Sequence, residues 1–108
     1  ETSVIEKYIK TPNLAEVDLH LEKLVDNPQN ISPDMALNVQ LSFFKQCLES
    51  AIEKGIDKVV FIHGVGAGVL KSEMYKILKN YPDLYYGDAP IRQYGIGATE
   101  VYIKPIKI

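Results

Sequence analysis

Hydrophobic and polar positions alternate in the stretch LAEVDLHL, residues 14–21, which predicts a β-strand at least from Val17 onward. Side chains two positions apart on a strand share a face, so Asp18 and His20 are expected on the same side. Ten residues later the period changes from two to between three and four, which indicates a helix.

The predicted helix begins at Ser32-Pro33-Asp34, which offers an N-cap hydroxyl, a proline in the first turn and an acidic side chain near the positive helix end. It runs to about Lys54, and Gly55 stands where a C-cap glycine is expected. Its apolar stripe consists of Leu37, Leu41, Phe44, Leu48, Ala51 and Ile52.

A continuous apolar run, DKVVFIH at residues 57–63, is typical of a buried central strand. A glycine-rich turn follows it, and a second helix is predicted from about Gly68 to Lys79. LYYGDA predicts a third strand, and a glycine turn then leads into a strand over residues 99–104.

The element order β-α-β-α-β-β predicts an α/β two-layer sandwich, with two helices on a mixed, mostly four-stranded sheet. The two strands joined through the long helix should be parallel, and the last two should form an antiparallel hairpin. We expect one domain over residues 14–108, preceded by an arm or the end of another segment over residues 1–13. Within that arm, residues 3–9 predict a further strand, which Pro12 and its neighbours end.

Composition narrows the classes of function. The 108 residues carry a net charge of −2, which weighs against a strongly basic nucleic-acid-binding face but not against a local basic patch. No apolar run approaches the ~18 residues of a membrane span, and no signal peptide is visible, so we expect no membrane partner and a cytoplasmic location. The chain begins with Glu1, which suggests a piece of a longer protein whose other domains are its partners, and the lone Cys47 is expected in the core.

The glycine-rich segment HGVGAGVL fits neither of two common phosphate-binding motifs. A P-loop requires glycine where Leu70 stands, and the dinucleotide-binding fingerprint requires glycine where Val69 stands. Gly64, Gly66 and Gly68 could still let the backbone approach an anion, which the amides at the start of the next helix would bind. The other interpretation, a purely steric turn, stays open at this point.

The two histidines of the chain favour a functional site at this loop over a purely steric turn. His20 and His63 each follow an apolar β pattern near the predicted end of its strand, and Asp18 shares a face with His20. If the strands are parallel neighbours, these three groups lie at one sheet edge beside the glycine loop. An aspartate, two imidazoles and helix-terminal amides suit phosphodiester chemistry, with proton transfer by the side chains and phosphate binding by the amides. A divalent cation such as Mg²⁺ or Mn²⁺, bound by the aspartate and a histidine, is an alternative use of the same residues.

At these residues the chain resembles the Smr (small MutS-related) domain family. The resemblance rests on VDLHL (17–21), HGVGAGVL (63–70) and YGIGATEVYI (94–103), and it covers residues 14–104. It implies an α/β sandwich that binds nucleic acid and, in some members, nicks DNA or cleaves RNA. Such domains often stand at the C-terminus of longer proteins of DNA repair or recombination, including MutS-like proteins.

Carried over by position, the implied site consists of Asp18, His20, His63, Gly64 and Gly66, with Gly97 and Thr99 in the neighbouring wall. Three departures from the family pattern stand out. Leu21 replaces a glycine after the first histidine, the loop over residues 22–31 is longer than usual, and the chain is acidic.

The basic residues that could contact phosphates are Lys71, Arg92 and Lys104. Tyr94 could stack on a base or, alternatively, pack as a wall residue. The sequence thus supports two hypotheses. One is a nucleic-acid-binding domain with endonuclease activity, and the other is a non-catalytic module of the same fold that binds a partner protein or, weakly, nucleic acid.

Overall fold

The computed structural model describes residues 3–103, so Lys104 and the predicted end of the last strand lie outside the described residues. The strands are β1 (Ile9–Thr11), β2 (Leu14–Asp18), β3 (Lys58–Ile62), β4 (Tyr85–Asp88) and β5 (Ala98–Tyr102). The helices are α1 (Leu21–Leu24), α2 (Pro33–Lys54), α3 (Val69–Leu78) and α4 (Ile91–Tyr94), with 3-10 turns at Val4–Tyr8 and Pro28–Asn30. Within residues 3–103, no helix is long and apolar enough to cross a membrane.

The sheet has the strand order β1-β2-β3-β5-β4. β2 and β3 are parallel, and the other neighbouring pairs are antiparallel. The predicted α/β class, the parallel pair and the final hairpin are therefore confirmed. Asp18 pairs with Ile62 at the last register position of β2 and β3, so both strands end at the same edge of the sheet.

One face of the sheet packs against the two long helices. Val59 and Phe61 of β3 lie in a core cluster with Phe44 and Leu48 of α2 and Met74 of α3. Val60, between them on the strand, is buried in a second cluster on the opposite face. The rings of Phe44 and Phe61 meet edge to face, with their centroids 4.7 Å apart. This packing fixes the α2 and α3 helices relative to the strand end at which the candidate site lies.

The caps predicted for α2 are both present. The hydroxyl of Ser32 accepts a hydrogen bond from the backbone N–H of Met35 at 3.3 Å. Gly55 takes the left-handed conformation, with φ 79°, and its N–H donates to the carbonyls of Ala51 and Ile52. The predicted buried Cys47 is also confirmed, and burial raises the pKa of its thiol to about 12.

The N-terminal segment differs from its prediction. The strand predicted over residues 3–9 is wrong, because Val4–Tyr8 form a 3-10 helix and only Ile9–Thr11 form a strand. Ile5 is fully buried in the main core, and β1 adds a fifth strand beside β2. This segment thus packs as part of the same sandwich.

The segment between β4 and β5 also has more structure than the sequence suggested. Residues 91–94 form the short helix α4, for which the sequence pattern showed no helical signal. Its Tyr94 packs with Val60 and Ala98 on the sheet face opposite α2 and α3.

Candidate functional site at the glycine loop

Asp18, the last residue of β2, and His20 form a hydrogen-bonded pair. Asp18 Oδ1 lies 2.7 Å from His20 Nδ1 and also accepts the backbone N–H of His20 at 2.9 Å. A carboxylate can only accept, so Nδ1 carries the hydrogen and Nε2 is left for other partners. The His20 side chain is 41% exposed, so solvent and ligands can reach it.

The C-terminal end of β3 places the glycine loop, residues 64–68, beside the Asp18–His20 pair. A Cβ atom placed on Gly64 would lie only 2.8 Å from His20 Nε2, so the imidazole rests directly on the Gly64 backbone. Gly64 has φ 79°, a left-handed conformation that favours glycine. The predicted meeting of Asp18, His20 and the glycine loop at one edge is what the structure shows.

The segment YGIGATEVYI, residues 94–103, approaches Gly64 from the side opposite His20. The carbonyl of Gly97 accepts the N–H groups of His63 and Gly64 at 2.9 and 3.0 Å. A Cβ atom on Gly97 would lie 2.8 Å from both the Cα and the carbonyl carbon of Gly64. Two backbone segments therefore touch here, and neither glycine could carry a side chain without displacement of its neighbour.

The remaining glycines of the loop face open space. Gly66 and Gly68 have positive φ values of 31° and 79°, and a Cβ atom on either would meet nothing within 4 Å. Gly68 is the N-cap residue of α3, so the first amides of this helix point outward at the loop. The conformation suits the close approach of an anion.

His63 lies inside the loop and is only 9% exposed. Its Nδ1 donates to the carbonyl oxygen of Gly64 at 2.8 Å, and its Nε2 lies 2.9 Å from the buried hydroxyl of Thr99. Burial lowers the pKa of the His63 imidazole, and the nearby Lys71 and His20 lower it further. The hydrogen bond to Gly64 and the carboxylate of Asp88 raise the pKa and so oppose part of this shift. His63 therefore differs from His20 both in exposure and in hydrogen bonding.

Lys71, a predicted phosphate contact, is paired with a carboxylate. Its Nζ lies 2.7 Å from Asp88 Oδ1, and this hydrogen bond raises the pKa of Lys71 and lowers that of Asp88. Arg92 is exposed on α4, and its side chain forms no hydrogen bond or ion pair with residues 3–103. The structure therefore does not bring Arg92 to the loop by any contact.

Tyr94 packs on the sheet face opposite α2 and α3. Its hydroxyl donates to Glu16 Oε2 at 2.5 Å, and burial together with this bond raises the pKa of the phenol to about 12. The ring packs with Val60, Ala89 and Ala98. These are the contacts of the wall residue that the sequence left open as the alternative to base stacking.

Two residues of the site were missed by the sequence reasoning. Gln40 of α2 donates from Nε2 to the carbonyl of Leu19 at 2.9 Å, and it lines a cavity of about 400 Å³ between α2 and the glycine loop. A polar side chain three positions after Leu37, beside the apolar stripe of α2, was a usable signal for it. Asp88 ends β4, and no pattern in the sequence marked it as the partner of Lys71.

The predicted Mg²⁺ or Mn²⁺ site stays a prediction. Within the described part of the chain, no three histidine, cysteine or carboxylate side chains gather as metal ligands.

Leu21, the departure from the family pattern, is the first residue of α1, and no non-glycine residue among those described has positive φ. Leucine is thus compatible with the backbone at this position.

The family model of the Smr domain matches residues 35–104. The chain belongs to the Smr family. It is also similar to the crystal structure of the Smr domain of Thermus thermophilus MutS2, with a TM-score of 0.58 and 26% identity. That similarity covers 83% of this chain and 98% of the other.

Two proteins named endonuclease MutS2 are similar over a shorter range of 58 residues. The protein from Carboxydothermus hydrogenoformans is 43% identical there, and that from Lactobacillus johnsonii 36%. The matched range is 53% of this chain but only 8% and 7% of those proteins. The predicted family is thereby confirmed, whereas the family match begins after Asp18 and His20, so their place in the site rests on geometry.

Proposed function

We propose that this Smr domain binds nucleic acid at the edge where β2 and β3 end, and that it cleaves a phosphodiester bond there. The observation that carries the proposal is the Asp18–His20 pair, whose free Nε2 faces the start of the glycine loop. Two similar proteins are named endonucleases, which supports the same chemistry.

In the proposed reaction His20 is the proton acceptor. Asp18 holds Nδ1–H, so the neutral ring presents the Nε2 lone pair to an attacking water or hydroxyl group. As the attacking oxygen bonds to phosphorus, its proton passes to Nε2, and the bond to the leaving oxygen breaks. The leaving oxygen then takes a proton from solvent. Asp18 also stabilises the resulting imidazolium electrostatically.

The glycine loop would hold the phosphate during this step. Gly66 and Gly68 leave room for a phosphate oxygen beside the backbone, and the first amides of α3 lie next to them. Lys71 in the first turn of α3 would add a positive charge once it separates from Asp88. The α3 amides and the Lys71 ammonium group would both stabilise the extra negative charge that develops on the phosphate in the transition state.

A cleavage assay tests this proposal. The 108-residue chain is incubated with supercoiled plasmid and with a structured RNA, in EDTA and in Mg²⁺ or Mn²⁺. Asp18→Asn and His20→Gln should each lower the rate by about 100-fold or more, the range of a lost general base. Asp83→Asn, an exposed aspartate outside the site, is the matched control and should keep the rate. Equal rates in all four proteins would contradict the assignment.

The non-catalytic alternative is favoured by one observation, the pairing of Lys71 with Asp88 in an acidic chain. It predicts no turnover in the same assay, with the domain binding a partner protein or, weakly, nucleic acid. Binding titrations at two salt concentrations separate weak nucleic-acid binding from no binding, because phosphate contacts weaken as salt rises.

A further inference from the structure

The hydrogen bonds of His63 occupy both of its ring nitrogens. The Gly64 carbonyl oxygen, 2.8 Å from Nδ1, can only accept, so Nδ1 carries a hydrogen. In the neutral ring Nε2 then has a lone pair, which accepts the hydroxyl hydrogen of Thr99 at 2.9 Å. Neither nitrogen is left for a substrate atom.

The surroundings of the ring oppose a charge on it. Thr99 is fully buried and His63 nearly so, and removal from water disfavours the imidazolium. The charged groups that face the ring are Lys71 on α3, Asp88 on β4 and His20 beyond β2. Lys71 and His20 disfavour the cation, whereas Asp88 favours it but is engaged with Lys71. The pKa of His63 is lowered as the net result.

We propose that His63 is a positioning residue: its neutral ring, bonded at both nitrogens, ties Gly64 to Thr99 and so sets the surface on which His20 rests. His20 is then the only imidazole at this edge that exchanges a proton with the substrate. The second statement rests on the proposed function, whereas the first concerns the folded chain alone.

The geometry gives His63 a direct way to act through Gly64. The ring holds the Gly64 carbonyl, while the Gly64 N–H donates to Gly97 at 3.0 Å. Both polar groups of the Gly64 backbone are thus bonded, and the residue cannot rotate without loss of one of them. Because His20 Nε2 contacts the Cα side of Gly64, a rotation there would move the proposed proton acceptor.

Nitrogen-15 NMR of the histidine rings tests the first statement on the unmodified 108-residue chain. The chain has two histidines, so His20→Gln assigns both sets of signals. We expect His63 to show a protonated Nδ1 and an unprotonated Nε2 at pH 8, and to become protonated only below the usual imidazole value of about 6.5. An Nε2-protonated neutral tautomer, or protonation of His63 with a midpoint at or above the usual value of about 6.5, would overturn the proposal.

Thr99→Val tests the link from His63 to His20. Valine keeps the shape of threonine but removes the hydroxyl, so the ring loses one of its two bonds. We expect the Gly64 amide and His20 ring resonances to shift, while Thr11→Val, a hydroxyl removed in β1, leaves both in place. Unmoved Gly64 and His20 signals in Thr99→Val would contradict a positioning role.

Kinetics then test the second statement. In Thr99→Val we expect kcat to fall severalfold with little change in KM, and the pH profile to keep its midpoint. If His63 were the proton acceptor, loss of the hydroxyl bonded to Nε2 would move that midpoint. A chain that cleaves neither substrate would refute the proposed function and the second statement with it, while the NMR results still decide the first.

Discussion

The Cα atom of Gly64 lies against the imidazole of His20, so close that a Cβ atom there would stand 2.8 Å from Nε2. The two residues are more than forty positions apart in the chain and meet because β2 and β3 are parallel neighbours. The absence of a side chain at position 64 therefore defines where the proposed proton acceptor sits.

Gly64→Ala should displace His20. Alanine at φ 79° costs about 1–2 kcal/mol of backbone strain, and its methyl group would also push the imidazole away. We expect the His20 ring resonances to shift and cleavage to fall on the order of 100-fold, the cost of a misplaced catalytic group. Gly55→Ala is the control for backbone strain, because Gly55 has the same φ of 79° and lies at the C-terminal end of α2, outside the site. If both variants left His20 unmoved, the proposed contact would be refuted.

The elements with a strong hydrophobic period were predictable from the sequence. The apolar stripe and both caps defined α2, and the apolar run defined β3, because burial of each pattern requires that structure. The 3-10 helix at Val4–Tyr8 was not predictable in this way. The Ile5 N–H donates to the Ser50 hydroxyl of α2 at 3.1 Å, a contact 45 positions away that overrides the local β pattern.

The site, too, contains residues that the sequence could place and one that it could not. Asp18, His20 and His63 could be placed together because each lies at or just after the end of a strand whose parallel pairing was inferred. The role of Asp88 depends on the register of β4 beside β5, which sets it opposite Thr99 and within reach of Lys71. Register between the last two strands depends on the turn and on α4, and the sequence pattern determined neither.

Gly97→Ala should destabilise the fold. Its methyl group would lie 2.8 Å from two backbone atoms of Gly64, and backbone yields less readily than the end of a side chain. We expect the free energy of unfolding in urea to fall by about 1–3 kcal/mol, as for other overpacked sites. Gly87→Ala in β4 is the control, because Gly87 has ordinary φ and open space around it. Equal losses in both variants would show that the close approach at Gly97 has no energetic weight.

The stability of the domain should depend on His63 as pH falls. The pKa of His63 is lowered in the folded chain, so below the usual value of about 6.5 the unfolded chain binds a proton that the folded chain does not. This contribution to stability is complete above pH ~6.5 and is lost as pH falls toward the lowered pKa, with a slope of at most about 1.4 kcal/mol per pH unit. Urea unfolding of wild type and His63→Gln between pH 7.5 and 5.5 measures it, since His20 is common to both. We expect the wild type to lose more stability than the variant; parallel curves would contradict the lowered pKa.

Asp88→Asn should strengthen the binding of nucleic acid. In the free domain the Asp88 carboxylate forms an ion pair with Lys71 at 2.7 Å. A phosphate must therefore displace this carboxylate before the phosphate can pair with the Lys71 ammonium group. Asparagine removes the charge that competes, and the plot of log affinity against log salt should steepen by about 0.9 on duplex DNA, or about 0.7 on single strands. Glu73→Gln is the matched control, because it removes one negative charge from the exposed Lys76–Glu73 pair on the same helix. An equal gain in both variants would mean that net charge alone, and not release of Lys71, accounts for the effect.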